Sequence, residues 1–107
     1  MSLYRYMRTL VFFDLPVVKA YQRREYRKFV TFLKKNGFFM LQKSVYVRMS
    51  LNQAAVDIVV DLLEKNKPSE GCVAVLTITE KQFSNIQFII GEIETDVINS
   101  DLRFIEL

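Results

Sequence analysis

The feature that most constrains the fold is a short apolar run near the N-terminus, Leu-Val-Phe-Phe at residues 10–13. Such a run of aliphatic, β-branched and aromatic side chains is typical of a strand that is buried on both faces of a sheet. Asp14 follows the run directly, and Pro16 ends the strand because proline has no N–H to donate to a neighbouring strand. The sequence therefore predicts a central strand over residues 6–14 with a carboxylate at its exit.

Asp14 has two interpretations. An unpaired charge is costly to bury, so the carboxylate must reach solvent, a cation or backbone donors. In the first interpretation, Asp14 caps the turn before Pro16 with its own hydrogen bonds, as aspartates in loops commonly do. In the second, it is a ligand for a cation. This stretch alone favours the turn cap.

Two amphipathic helices follow from the spacing of apolar residues. The first is predicted over 18–36 and ends at Asn36-Gly37, where glycine can adopt a left-handed conformation. The second is predicted over 52–66, with Ser50 or Asn52 as its N-cap and Pro68 just beyond its end. Their apolar stripes are Tyr26, Phe29, Val30 and Leu33 in the first helix, and Ala55, Ile58, Val59, Leu62 and Leu63 in the second.

The remaining elements read as strands. Residues 38–41 and 44–49 form two short strands joined by a tight turn at 42–43, and residues 72–79 form another, with Cys72 as a small buried hydrophobic residue. The order β-α-β-β-α-β predicts an α+β fold, the ferredoxin-like sandwich, over residues 1–80. The whole chain is predicted to be a single domain.

Two helices with one apolar stripe each can cover only one face of this sheet. Phe12, Tyr46 and Met49 are candidates for the other face, and a second subunit is the economical cover, so we expect a homodimer.

The tail over 81–107 does not fit the six-element core, and short strands are predicted at 88–90 and 102–105. Either this additional C-terminal β-segment folds back on its own domain or it pairs with another chain. The candidate partner-binding residues are Phe88, Ile89, Ile90, Phe104 and Ile105.

Charge divides the chain into two unequal halves. Residues 1–50 hold eleven Lys and Arg against two acids, a net charge of +9, whereas residues 51–107 carry −6. Most of the positive charge lies on one side of the first helix. A charged helix side usually only meets water, but this many cations favour binding to nucleic-acid phosphates. The residues concerned are Lys19, Arg23, Arg24, Arg27, Lys28, Lys34 and Lys35.

Composition excludes several classes of function. The chain has no His and one Cys, so a single chain cannot build a zinc site of the usual ligands, a Ser-His or Cys-His nucleophile, or an internal disulfide. No apolar run approaches the roughly 18 residues of a membrane span. The N-terminus lacks the pattern of a signal peptide, so we expect a cytoplasmic protein with no membrane partner.

Five motifs occur in a specific order: Val-Phe-Phe-Asp-Leu-Pro at 11–16, Tyr-Arg-Lys-Phe at 26–29, Gly-Phe at 37–38, Gln-Lys-Ser-Val-Tyr at 42–46 and the strand around 77–79. In their order and spacing over residues 3–91, they resemble the small CRISPR-associated Cas2 family, particularly its members from Cas9-containing (type II-A) systems. The resemblance implies a ferredoxin-like homodimer that binds double-stranded DNA, with RNA as the alternative. It also implies that this dimer bridges two dimers of the Cas1 integrase during spacer acquisition.

The same resemblance implies a role for Asp14. Members of the family are described as metal-dependent endonucleases of RNA or DNA, and their metal-binding aspartate ends the first strand, which is Asp14 here. The resemblance therefore favours a cation ligand over a turn cap at Asp14, and it makes Asp14 a candidate for metal binding and catalysis. Because Mg²⁺ takes one or two carboxylates and keeps several waters, we expect one site for Mg²⁺, or Mn²⁺, shared by the two Asp14 side chains of a dimer.

Three functions remain open at this stage: a DNA-binding adaptor for the integrase with no chemistry of its own, a Mg²⁺-dependent endonuclease that uses Asp14, and a small oligomeric regulatory domain with no nucleic-acid ligand. The charge of +9 on the first half argues against the third function. A lone carboxylate separates the first two only weakly.

Overall fold

The computed structural model describes residues 6–92 of the chain. Its elements, in order, are β1 (Met7–Asp14), α1 (Ala20–Lys35), β2 (Phe39–Gln42), β3 (Val45–Ser50), α2 (Gln53–Lys65), β4 (Cys72–Thr79) and α3 (Glu80–Ser84). The β-α-β-β-α-β order of the prediction is confirmed, and one short helix follows it.

The four strands form one antiparallel sheet in the order β2-β3-β1-β4. This is the ferredoxin-like topology, with β1 in the centre as the apolar run predicted. Strand β4 lies at an edge and pairs with β1 over its whole length, Asp14 opposite Cys72 and Met7 opposite Thr79. No described strand pairs with the outer edge of β4.

Helices α1 and α2 cover one face of the sheet. Val11 and Phe13 of β1 point into this helix-covered core, where Phe13 meets Phe29 of α1 edge-to-face at 5.4 Å between ring centroids. Tyr46 also lies in this core, because it is opposite Val11 in the register between β1 and β3. The prediction that Tyr46 faces the other side of the sheet is therefore wrong, whereas Phe12 does lie there, since neighbouring strand residues point to opposite faces.

Helix α2 turns a slightly different side to the core than predicted. Val56, Val59 and Leu63 are buried, whereas Ile58 is 67% exposed. At 100° per residue, Ile58 lies about 100° from Val59, on the flank of the helix. The prediction of Ile58 as a core residue is thus wrong, while the N-cap is confirmed: the Asn52 side chain accepts a hydrogen bond from the Ala55 N–H at 2.9 Å.

The second face, here called the open face, is partly covered by the same chain. Phe83 of α3 is buried in a cluster on this face, and Phe88 and Ile78 pack against the cluster half-buried. Its other members come from β1, β2 and β3, namely Leu10, Leu41, Val45 and Val47. A single chain thus supplies part of the cover that we expected from a second subunit.

An ion pair attaches α3 to the sheet. Arg8, which is 3% exposed, donates from Nη2 to Glu80 Oε2 at 2.9 Å, and its guanidinium lies 4.4 Å from the ring centroid of Phe83. The backbone N–H of Glu80 donates to the Tyr6 carbonyl at 2.9 Å. These contacts place the start of the C-terminal segment across the open face.

Three further predictions need correction. Residues 88–90 form loop and not a strand; Phe88 packs on its own sheet, and Ile89 and Ile90 are 91% and 92% exposed. Cys72 is exposed and not buried, because it begins an edge strand with no cover above it. The tight turn lies at 43–44, one residue later than predicted, with Ser44 at φ 65°. The strand predicted at 102–105, with Phe104 and Ile105, lies outside the described residues.

Candidate nucleic-acid interface and metal position

Helix α1 presents a basic surface to solvent. All seven predicted phosphate-binding residues are exposed, and none forms an ion pair with another described residue. The 16 residues of α1 span about 24 Å, so Lys19 at one end and Lys35 at the other are separated by roughly seven phosphate spacings of one DNA strand. The surface is therefore long enough to follow a nucleic-acid backbone.

Arg23 differs from the other six basic residues. Its Nη1 donates to the backbone carbonyls of Val17 at 3.1 Å and Val18 at 2.6 Å. It therefore fixes the loop between β1 and α1, and its replacement would disturb that loop as well as remove a charge. Sequence reasoning missed this role because carbonyl contacts leave no pattern in the residue types.

The loop between α2 and β4, residues 66–71, is attached to the first turns of α1. Glu70 Oε1 accepts hydrogen bonds from the Tyr21 hydroxyl at 2.6 Å and from Gln22 Nε2 at 2.9 Å. The bond to Glu70 raises the pKa of Tyr21, and the same bond, followed by that from Gln22, lowers the pKa of Glu70. The contact joins the loop before β4 to the start of α1, which is far away in sequence.

Gly71 brings this loop against the end of β1. Its φ is +98°, and a Cβ atom added there would lie 2.8 Å from the backbone oxygen of Asp14 and 2.8 Å from a methyl of Leu15. Only glycine fits this approach without displacing a neighbour. The position of Asp14 is thus fixed from the side of β4 and its preceding loop.

Asp14 is exposed at the end of β1, and its carboxylate makes no hydrogen bond or ion pair with another described residue. The turn cap favoured by the sequence is therefore not formed. By alternation, its side chain lies on the open face together with that of Cys72, its direct partner in β4. Sequence reasoning missed this neighbour because the pairing joins residues far apart in the chain.

The described part of one chain does not by itself form a metal site. Among residues 6–92, no three Asp, Glu, Cys or His side chains are grouped closely enough to hold a metal ion. The single free carboxylate of Asp14 fits a hydrated Mg²⁺ or Mn²⁺ that takes one carboxylate from each of two chains. It does not fit a metal that needs a full set of protein ligands from one chain.

Of the five predicted partner-binding residues, three lie in the part of the chain that the structure describes, and these three do not form one cluster. Phe88 packs on its own sheet, Ile89 and Ile90 project into solvent, and Phe104 and Ile105 lie outside the described residues. No helix within residues 6–92 is long and apolar enough to cross a membrane.

Comparison with known proteins gives the family. The family model described as "CRISPR associated protein Cas2" matches residues 7–86. This chain belongs to the Cas2 family. It is 50% identical over 101 residues to the CRISPR-associated endoribonuclease Cas2 of Treponema denticola, covering 94% of this chain and 100% of that protein. It is 42% identical over 101 residues to the Cas2 of Streptococcus mutans UA159, covering 94% and 93%.

A solved structure described as a crystal structure of Cas2 has the same fold. The match has a TM-score of 0.57 at 19% identity and covers 84% of this chain and 92% of that one. Cas2 endonucleases are generally metal-dependent, and Cas2 proteins generally act as dimers with Cas1. The ferredoxin-like fold and the resemblance to Cas2 predicted from the sequence are confirmed.

Proposed function

We propose that this Cas2 protein is a homodimeric DNA-binding adaptor that bridges Cas1 integrase dimers during the integration of new spacers. The observation that carries the proposal is the basic surface of α1: seven exposed cations with no ion-pair partner among the described residues. Such a surface binds the phosphates of a duplex without reading its sequence. The proposed site of action is the cytoplasm.

The proposed binding of duplex DNA to α1 should have a characteristic dependence on salt concentration. If α1 contacts three to five phosphates, log K should fall by about 2.7 to 4.5 per decade of salt for each helix, since each contact contributes about 0.9. The slope should be the same for duplexes of unrelated sequence, because phosphates carry no sequence information.

The test removes charge from α1 without touching Arg23. Arg24→Gln, Arg27→Gln and Lys35→Gln in one variant should lower duplex affinity for all sequences and flatten the salt slope by about 2 to 3. A matched control exchanges the same residues while keeping their charge: Arg24→Lys, Arg27→Lys and Lys35→Arg. Equal affinity of the glutamine variant and the control would rule out α1 as the interface.

The homodimer is supported by what the fold leaves uncovered. On the open face, Phe12 is 37% exposed and Leu76 of edge strand β4 is 51% exposed. An isologous pairing of two such faces buries both and brings the two Asp14 side chains toward one axis. Sedimentation at micromolar concentration should show a dimer, and a monomer there would contradict the pairing.

The C-terminal segment, residues 81–107, is proposed as the dimer and partner contact. Ile89 and Ile90, which are 91% and 92% exposed, would contact the second subunit, and Phe104 and Ile105 would contact Cas1 by strand addition. Truncation after residue 100 should leave the domain folded and dimeric and weaken Cas1 binding at least about tenfold. Wild-type affinity for Cas1 in the truncated protein would contradict this assignment.

A second function, metal-dependent endonuclease activity on RNA or DNA, is favoured by the free, exposed carboxylate of Asp14. The two Asp14 side chains of a dimer would hold Mg²⁺ or Mn²⁺, which would supply a Lewis acid at the phosphodiester. Asp14→Asn should abolish cleavage, while DNA binding stays equal or improves because a negative charge is removed. Cleavage by the variant at the wild-type rate would exclude Asp14 as the catalytic residue.

A further inference from the structure

A surface pit lies where the basic side of α1 meets the end of α2. Its volume is about 180 Å³, which is room for several waters and hence for one phosphate group. The pit is lined mainly by polar and charged side chains, and it belongs to neither the Asp14 position nor the open face. The lining residues are Glu25, Lys28, Phe29, Lys65, Asn66, Lys67 and Pro68.

The charge of the lining favours an anion. Lys28 is a member of the basic surface of α1, and Lys65 and Lys67 add two cations from the second, acidic half of the chain. The one acid in the lining, Glu25, is already occupied: Oε2 accepts from the Ser69 hydroxyl at 2.7 Å, and Oε1 accepts from the Ser69 N–H at 3.4 Å.

Two features would disfavour the binding of an anion in the pit: the negative end of the α2 dipole and the ion pairs that Lys65 and Lys67 already form. Both are weak in this structure. The C-terminal end of α2, where the helix dipole is negative, lines the pit, but two of its last carbonyls are already bonded. The N–H and the side-chain amide of Asn66 both donate to the Leu62 carbonyl, and the N–H of Asn66 also donates to the Leu63 carbonyl. Lys65 and Lys67 form ion pairs with Asp61 at 2.9 Å and Glu64 at 2.6 Å. All four side chains of these pairs are at least 60% exposed, and exposed pairs stabilise a fold very little, so the lysines are able to turn to another anion.

We propose that this pit binds one backbone phosphate of the nucleic acid that lies along α1. The inference rests on the proposed DNA-binding function and extends its interface from α1 to Lys65 and Lys67. Lys28 belongs to both parts, so the two surfaces are continuous. A free nucleotide carries the same phosphate chemistry, and the experiment separates it from a backbone phosphate.

The experiment measures the affinity of the full-length protein for a 30-base-pair duplex across salt concentrations. Lys65→Gln with Lys67→Gln should flatten the salt slope by about 0.9, which corresponds to about fivefold weaker binding at 0.15 M salt. Lys65→Arg with Lys67→Arg should keep the wild-type slope. Glu64→Gln releases Lys67 from its ion pair and should tighten duplex binding about two- to threefold.

The outcomes separate this inference from the function on which it rests. Suppose that the variant with three glutamines on α1 binds the duplex weakly, while the Lys65/Lys67 glutamine variant keeps the wild-type salt slope. The proposed phosphate site in the pit is then overturned, and the α1 interface stands. If the wild-type protein does not bind duplex DNA, both are overturned. If the Lys65/Lys67 variant loses affinity for adenosine monophosphate and not for the duplex, the pit is a nucleotide site and the inference is overturned. Urea unfolding of each variant confirms that its fold is intact.

Discussion

The ion pair between Arg8 and Glu80 offers a quantitative test of how α3 is held on the sheet. Arg8 is 3% exposed and Glu80 is 13% exposed, so both charges are largely removed from water. Nε and Nη2 of Arg8 both donate to Glu80 Oε2, at 3.0 and 2.9 Å. Removing one partner of a buried pair costs about 3–5 kcal/mol, because the other charge stays buried. Since glutamine keeps one acceptor oxygen, we predict that Glu80→Gln lowers the free energy of unfolding by about 3 kcal/mol.

A double-mutant cycle separates the ion pair from the packing of α3. Glu80→Met alone and Arg8→Met alone should each be destabilising, while the double variant should cost less than the sum, since it removes both buried charges. Urea unfolding is compared at one protomer concentration, because dimerisation makes apparent stability concentration-dependent. A loss below about 1 kcal/mol for Glu80→Gln, or additive single variants, would refute the argument that this pair holds α3.

Three further predictions concern the surroundings of the strand end. Gly71→Ala should lower the free energy of unfolding by more than about 1 kcal/mol, because its Cβ would clash with a backbone oxygen and its φ is +98°; Gly91→Ala, with open space around it at φ +90°, should cost less in the same urea assay. Maleimide labelling of exposed Cys72 should block any metal-dependent cleavage, because Cys72 lies beside the proposed metal-binding carboxylate, and Cys72→Ser should be insensitive to the reagent. The hydrogen bond between Tyr21 and Glu70 should stabilise the fold at neutral pH. This stabilisation should be lost as pH falls through the lowered pKa of Glu70, and also as pH rises through the raised pKa of Tyr21. In Glu70→Gln, ultraviolet titration should show that one tyrosine ionises at lower pH than in the wild-type protein.

The sequence predicted most of the fold because its signals are local. An apolar run followed by Asp14 and Pro16 gave β1, and residues 72–79 were predicted as a strand with the bounds that the structure shows. The end of α1 was predicted from Gly37, which adopts φ 83° as expected. Each of these features depends on residues within a few positions of one another.

The wrong predictions depend on contacts that are distant in sequence. Tyr46 is in the helix-covered core because of its register against Val11, and alternation along β3 alone does not fix which face is which. Cys72 is exposed because β4 lies at an edge, which only the strand order reveals. Helix α3 had a local signal that was overlooked: Thr79 and Gln82 form a capping box, with hydrogen bonds of 3.1 and 2.9 Å.

The candidate site was predictable in part for the same reason. The exposure of Asp14 and of the basic side of α1 follows from strand and helix periodicity. The contacts of Glu70 with Tyr21, and of Gly71 with the end of β1, join segments about 50 residues apart and carry no pattern in the sequence. The lysines at the end of α2 were hidden by the acidic average of the second half of the chain.

The arrangement of positive charge on α1 lowers the stability of the helix itself. Its first turn has no acidic residue, and its N-cap position is Lys19, which places positive charge at the positive end of the helix dipole. Arg23 and Arg27, and Arg24 and Lys28, are like charges four residues apart, an arrangement that destabilises a helix. Packing of the opposite side of the helix, through buried Phe29 and Leu33, compensates for these terms. A local cost of this kind is expected where a surface serves a ligand, and a polyanion bound along α1 would remove it. Duplex DNA should therefore raise the thermal midpoint of the wild-type protein more than that of the variant with three glutamines on α1.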